Sequence, residues 1–219
     1  PASYEIMGDG NEIVGNVAAG SDRFGFDVNG ARCDGAGGEA FLSNSVHSSL
    51  VGLNLRGASG GCTAARNFTA HHSWDFGIFS MTGIPTDVEL SGAVVADNKH
   101  AGIQILKRSG FTEAGRVEIV GGAVIGASSN TACLRCVRSG DAGCHPNFSR
   151  QSYTRAGLIG GTETYGLISA TFATSFTPGP EKKPWDGPML QSILGHATVT
   201  GTAFVDWAGA ADACGAQAY

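Results

Sequence analysis

Short apolar runs separated by small polar residues and glycines recur along the chain, and helical spacing of apolar positions is absent. The runs carry β-branched and aromatic residues, which predicts short β-strands joined by turns. Four segments share a frame of glycine, apolar, any residue, then a mostly apolar position: GFDV at Gly25, GLNL at Gly52, GIFS at Gly77 and GIQI at Gly102. These glycines are 27, 25 and 25 residues apart, and each frame follows another apolar piece (NEIVGNVAA, AFLSNSVHS, ARNFTAHHS and LSGAVVADN). Two or three short strands in each repeat of that length are what one rung of a parallel β-helix requires, with rungs stacked about 4.8 Å apart. A propeller blade needs about 40 residues, and a leucine-rich repeat needs its leucine consensus, so neither fits. The pattern therefore predicts an all-β chain: a right-handed, single-stranded parallel β-helix of seven or eight rungs with a cysteine-containing loop insertion.

Stacked rungs imply columns. One residue after the frame glycines come Phe26, Leu53, Ile78 and Ile103, an inward apolar column, and one residue before them Phe24, Val51, Phe76 and Ala101. Four residues before stand Ser21, Ser48, Ser73 and Asn98, suited to a bend, and five before stand Gly20, His47, His72 and Asp97. On this count His72 repeats His47 one rung on. Further along, VEIVGGAVIGA (117–127), GLISATF (166–172) and HATVTGTAFVDW (196–207) read as further rungs. The expected organisation is β-helix over 1–127, a cysteine-bearing insertion over 128–156 and more β-helix over 157–210. A proline-rich surface loop lies at 178–188 within that last span, and a tail follows at 211–219.

Composition sharpens this picture. Hydrophobic residues make up 42% and charged residues 15% of the 219, enough apolar content for a sizeable core and against disorder. The 34 glycines follow no collagen period and suggest tight turns between strands. A net charge of −5 gives no reason to expect nucleic acid as a partner, and no apolar run is long enough to span a membrane. The sequence begins at Pro1 without methionine, as a piece of something longer would. Its first residues are already strand-like and its last are small and polar, so the end rungs are expected to continue into more β-helix or to be covered by a neighbouring domain.

Six cysteines (Cys33, Cys62, Cys133, Cys136, Cys144 and Cys214) and two sequons, at Asn67 and Asn147, point together to disulfides, N-glycosylation and an oxidising compartment. Cys33 and Cys62 fall at nearly the same place on successive rungs, which predicts a bridge between them. The other four allow three pairings. CLRCVRSGDAGCH (133–145) has a zinc-like composition, but its spacing matches no standard finger, and disulfides are the expected state.

The segments NVAAGSDRFGFDV, NSVHSSLVGLNL and NFTAHHSWDFGIF resemble the β-helix repeats of the fibrocystin and fibrocystin-like cell-surface proteins. So does GLISATFATSFTPGPEKKPWDGP followed by HATVTGTAFVDWAG. The order of frame, cysteine-bearing insertion and GPEKKPW segment covers most of the chain. The resemblance implies a very large single-pass membrane glycoprotein with Ig-like and β-helix modules in its ectodomain, associated with cilia, stereocilia and cell coats. Related cell-surface proteins that degrade or bind hyaluronan share the architecture, so the resemblance also implies a glycan-directed role as an alternative.

One stretch has the composition of a site. NFTAHHSWDFGIFS offers His71, His72, Trp74 and Asp75, with His47, Asp97, Lys99 and His100 on adjoining rungs. Asp75 and His100 share a column, two before the glycine, and would make an acid–base pair for polysaccharide cleavage. The paired aspartates and the Arg-x-Lys of pectinase-type enzymes are absent. The expectation is a bend-ordering role, no catalytic residue, no cofactor and no metal. Three ligands in line at the rung spacing would converge poorly on one ion. His47, His72, Trp74, Asp75, His100 and Trp185 remain candidate contacts for a glycan or a protein partner. Trp185 sits among prolines and lysines, the setting of an anchor residue. The expected partners are other modules of the same large chain or other cell-surface proteins.

Overall fold

The structure is a computed structural model, which describes residues 2–8, 10–35, 40–57, 61–82, 86–98, 101–109, 116–126, 165–173, 190–191 and 197–205. Three parallel sheets run the length of a β-solenoid. The first holds β1 (Ala2–Ile6), β4 (Phe24–Val28), β7 (Val51–Leu55), β10 (Phe76–Thr82), β13 (Ala101–Ser109) and β16 (Tyr165–Ala173). The second holds β2 (Glu12–Val14), β5 (Ala40–Leu42), β8 (Cys62–Arg66), β11 (Asp87–Ser91), β14 (Val117–Val120) and β18 (Ala197–Thr200). The third holds β3 (Val17–Ala19), β6 (Ser45–His47), β9 (Thr69–His71), β12 (Val94–Ala96), β15 (Ala123–Ile125) and β19 (Ala203–Val205). A short β17 (Leu190–Gln191) pairs antiparallel with β16.

Each rung gives one strand to each sheet, so the described residues form six rungs rather than seven or eight. GLISATF and HATVTGTAFVDW are not separate rungs. They supply β16 on the one hand and β18 and β19 on the other, all within one rung.

The frame glycines stack as expected. Phe24 pairs with Val51 and Phe26 with Leu53, and the same register carries on to Phe76 and Ile78 and then to Ala101 and Ile103. Gly25, Gly52, Gly77 and Gly102 therefore face one another across successive strands. Their role is not to turn the chain, since none has a positive φ. A Cβ on Gly25 would run into Val46 and come 2.8 Å from the Gly52 carbonyl oxygen; one on Gly77 would come 2.7 Å from that of Gly102. Close approach of backbone and core excludes any side chain here. The turning glycines are a different set, Gly15, Gly92, Gly121 and Gly201, all with positive φ between the second and third sheets.

Inside the solenoid Phe26, Leu53, Ile78 and Ile103 are buried, with Phe26 stacked on Tyr4 at 4.7 Å and edge-on to Phe41 and Phe68. The second sheet contributes Ile13, Phe41, Leu90 and Ile119, and the third Ala18, Val46, Ala70, Val95 and Val124. The column of Phe24, Val51, Phe76 and Ala101 does not join this core. With Phe79 it forms a separate buried cluster. In the last rung the core columns reach Val199 and Phe204, which are 41% and 47% exposed, against 2% and 1% for Ile119 and Val124 beneath them.

Cys33 and Cys62 form a disulfide between neighbouring rungs, as the register predicts, with Cα atoms 5.7 Å apart. Beside it Ala31 and Ala64 exchange backbone hydrogen bonds of 3.0 and 2.7 Å. Cys133, Cys136, Cys144, Cys214, Asn147, His100 and Trp185 lie outside the described residues.

Candidate functional site

After four strands of the third sheet, β3, β6, β9 and β12, the chain turns through one residue in the left-handed region: Gly20, Ser48, His72 and Asp97, with φ of 68°, 57°, 56° and 55°. Glycine enters this region freely, and Asn, Asp and His do so more readily than most side chains. The corners are stitched rung to rung. Gly20 donates its N–H to the His47 carbonyl, Ser48 to that of His71, and His72 to that of Ala96. The next position holds Ser21, Ser49, Ser73 and Asn98, where Ser21 N–H donates to Ser49 Oγ and Ser73 N–H to Asn98 Oδ1.

This overturns one expected register. His47 pairs with His71, not His72, and Ser49 rather than Ser48 follows Ser21. The cause is one residue fewer in a single corner: three residues link β6 to β7, while four link β9 to β10. Counting back from the glycine therefore slips by one on that rung.

The corrected register gathers three imidazoles and a carboxylate at one edge. The rings of His47 and His71 stack at 5.2 Å with planes 16° apart, while His71 and His72 meet edge to face at 5.0 Å and 78°. His71 Nδ1 lies 3.4 Å from His72 Nδ1, and His72 Nε2 lies 3.5 Å from Oδ2 of the buried Asp97. His47 Nδ1 contacts Ser48 Oγ at 3.2 Å. His47 and His71 are half-buried, and His72 is exposed. Partial burial lowers the pKa of His71, and the neighbouring His72 and His47 lower it further, with Asp97 opposing.

Asp75, expected at the surface, is buried at 2% exposure, and its Oδ1 has no hydrogen-bond partner. Burial raises its pKa well above the ordinary carboxylate range. It is screened from any substrate, which removes one half of the acid–base pair considered with His100. Trp74 is half-buried, and its backbone N–H donates to the Ser49 carbonyl. Asn67, the described sequon residue, is exposed in the other left-handed corner with φ 50°. Among the described residues no three His, Cys, Asp or Glu side chains converge on one point, and no helix is long and apolar enough to cross a membrane.

One buried polar group was not anticipated from the sequence. On the first sheet Arg56 reaches Asp27 through two contacts of 2.5 Å, and Asn54 Nδ2 donates to Asp27 Oδ1 at 2.8 Å. Asp27 is only 3% exposed, and these partners satisfy its charge. The signal lay in the unconstrained position of the frame, where GFDV and GLNL place Asp27 and Asn54 side by side.

The chain is distantly homologous to fibrocystin-L over most of its length and to fibrocystin over a shorter part. Human (Homo sapiens) fibrocystin-L is 26% identical over 213 residues, covering 93% of this chain and 5% of the relative. Mouse (Mus musculus) fibrocystin-L is 25% identical over 228 residues, 99% of this chain and 5% of that protein. Dog (Canis lupus familiaris) fibrocystin is 39% identical over 89 residues, 39% of this chain and 2% of that protein. The chain therefore spans only a small part of the length of these relatives. No protein-family model and no solved structure matches it.

Proposed function

We propose that this chain is a structural and adhesive β-helix module of a large fibrocystin-like cell-surface glycoprotein. It would lie in the extracellular or ciliary ectodomain as a rigid, non-catalytic scaffold for protein–protein assembly. The observation that carries this reading is the continuity of the core. Apolar columns run from rung to rung through three parallel sheets, with a disulfide across one rung boundary, so no hinge interrupts the stack among the described residues. The homology to fibrocystin-L over most of the chain supports the same placement. The exposed Val199 and Phe204, the last of two core columns among the described residues, supply an apolar face for a neighbouring module.

The test is sedimentation velocity on the 219-residue chain over a range of concentrations, alongside the double variant Val199→Glu, Phe204→Glu. The parent is expected to associate end to end and the variant to stay monomeric. A strictly monomeric parent would sink the assembly role. Reproducible depolymerisation of hyaluronan by the purified chain would replace the scaffold with an enzyme.

A further inference from the structure

We propose that the histidine corner is a surface site for a divalent transition-metal ion of the zinc, nickel or copper class, ligated by Nδ1 of His71 and Nδ1 of His72, with Asp97 orienting His72 from behind. Neighbouring residues in a strand point to opposite faces, so adjacent histidines seldom share a ligand. Here the left-handed conformation of His72, at the end of β9, turns its ring back onto that of His71.

The two Nδ1 atoms are 3.4 Å apart. That is long for an N–H···N hydrogen bond, whose usual length is about 2.9–3.0 Å. It matches the roughly 3.3–3.4 Å between two nitrogens bound at 2.0–2.1 Å in a tetrahedral zinc shell. Ring planes 78° apart suit two independent ligands of such a shell.

Asp97 completes the pattern. Its carboxylate lies 3.5 Å from Nε2 of His72, the ring nitrogen that does not face His71. Metal-bound histidines are commonly held by a carboxylate in this way. His71 is held from its other side by the stack on His47. With two protein ligands and His72 46% exposed, the remaining positions of the ion open to solvent or to a ligand from another molecule. Imidazole donors favour zinc, nickel and copper, with copper(II) tightest.

Titration calorimetry of the 219-residue chain with zinc, nickel or copper(II) chloride alone tests the site. One saturable equivalent is expected, tightest for copper. His72→Asn, which keeps a residue tolerant of the left-handed corner, should lose that equivalent with an unchanged far-UV circular dichroism spectrum. His71→Gln should lose it independently. Asp97→Asn should retain the stoichiometry but bind about 10–100-fold more weakly. Absence of binding in the parent, or isotherms unchanged in both His72→Asn and His71→Gln, would overturn the proposal.

Discussion

The solenoid contains two kinds of glycine column, and they obey different rules. On the first sheet Gly25, Gly52, Gly77 and Gly102 have ordinary φ values but no room for a Cβ, and every one of these rungs keeps glycine. At the corner between the second and third sheets the column runs Gly15, Ser43, Asn67, Gly92, Gly121 and Gly201, all with positive φ. Gly121 and Gly15 have nothing within 4 Å of a built Cβ, so side chains are strained there but not excluded. Lack of space forbids substitution, whereas an unusual φ only taxes it. Chemistry therefore accumulates at corners, where Asn67, His72 and Asp97 stand.

The comparison can be broken most severely on the first sheet. Gly52→Val would drive a branched side chain into Val46 and the Gly77 carbonyl, costing about 3 kcal/mol or more, and the chain should fail to reach a cooperative native state in urea melts. Gly121→Ala, in open space but at φ 66°, should cost about 1–2 kcal/mol and leave the transition cooperative. Equal costs for the two would show that the columns do not differ in kind.

The third-sheet corner sharpens the rule. His72→Val, β-branched at φ 56°, should cost about 1–2 kcal/mol, and His72→Asn only a few tenths, both read from thermal melts without added metal.

A pH-dependent effect concerns Asp75, between the His72 corner and the Gly77 strand. Its pKa is raised by burial, so the native state holds a proton that the unfolded chain releases in the ordinary carboxylate range near 4. Its contribution is fully present below that range and is lost as pH rises towards the raised native value. Asp75→Asn should therefore stabilise the protein at neutral pH, by on the order of 1 kcal/mol. The gain should vanish near pH 4; a gain that persists there would point to a cause other than ionisation.

Much of this fold was legible because the frame glycines cannot be replaced. An unbroken signal set the register of Phe26, Leu53, Ile78 and Ile103, and with it the Cys33–Cys62 bridge. The site was less legible, because corners vary in both residue and length. The short link after His47 moved the stack from His72 to His71, and nothing in the local composition announces a missing corner residue. Burial was hidden too. Asp75 looks like a surface acid beside two histidines, and only its place before the inward Gly77 turns it into the interior. The Asp27–Arg56 pair was hard to read because Asp27 stands opposite Asn54 in the frame, while Arg56 lies two residues past that column.

The Cys33–Cys62 bridge closes a loop with a sequence separation of 29. If the module were pulled from its two ends, tension would pass through the sulfurs and leave the enclosed chain slack. At roughly 3.4 Å per extended residue, about 100 Å of contour would be withheld until the bond was reduced. A load-carrying filament built this way would yield in two stages, the second gated by the thiol chemistry of its surroundings.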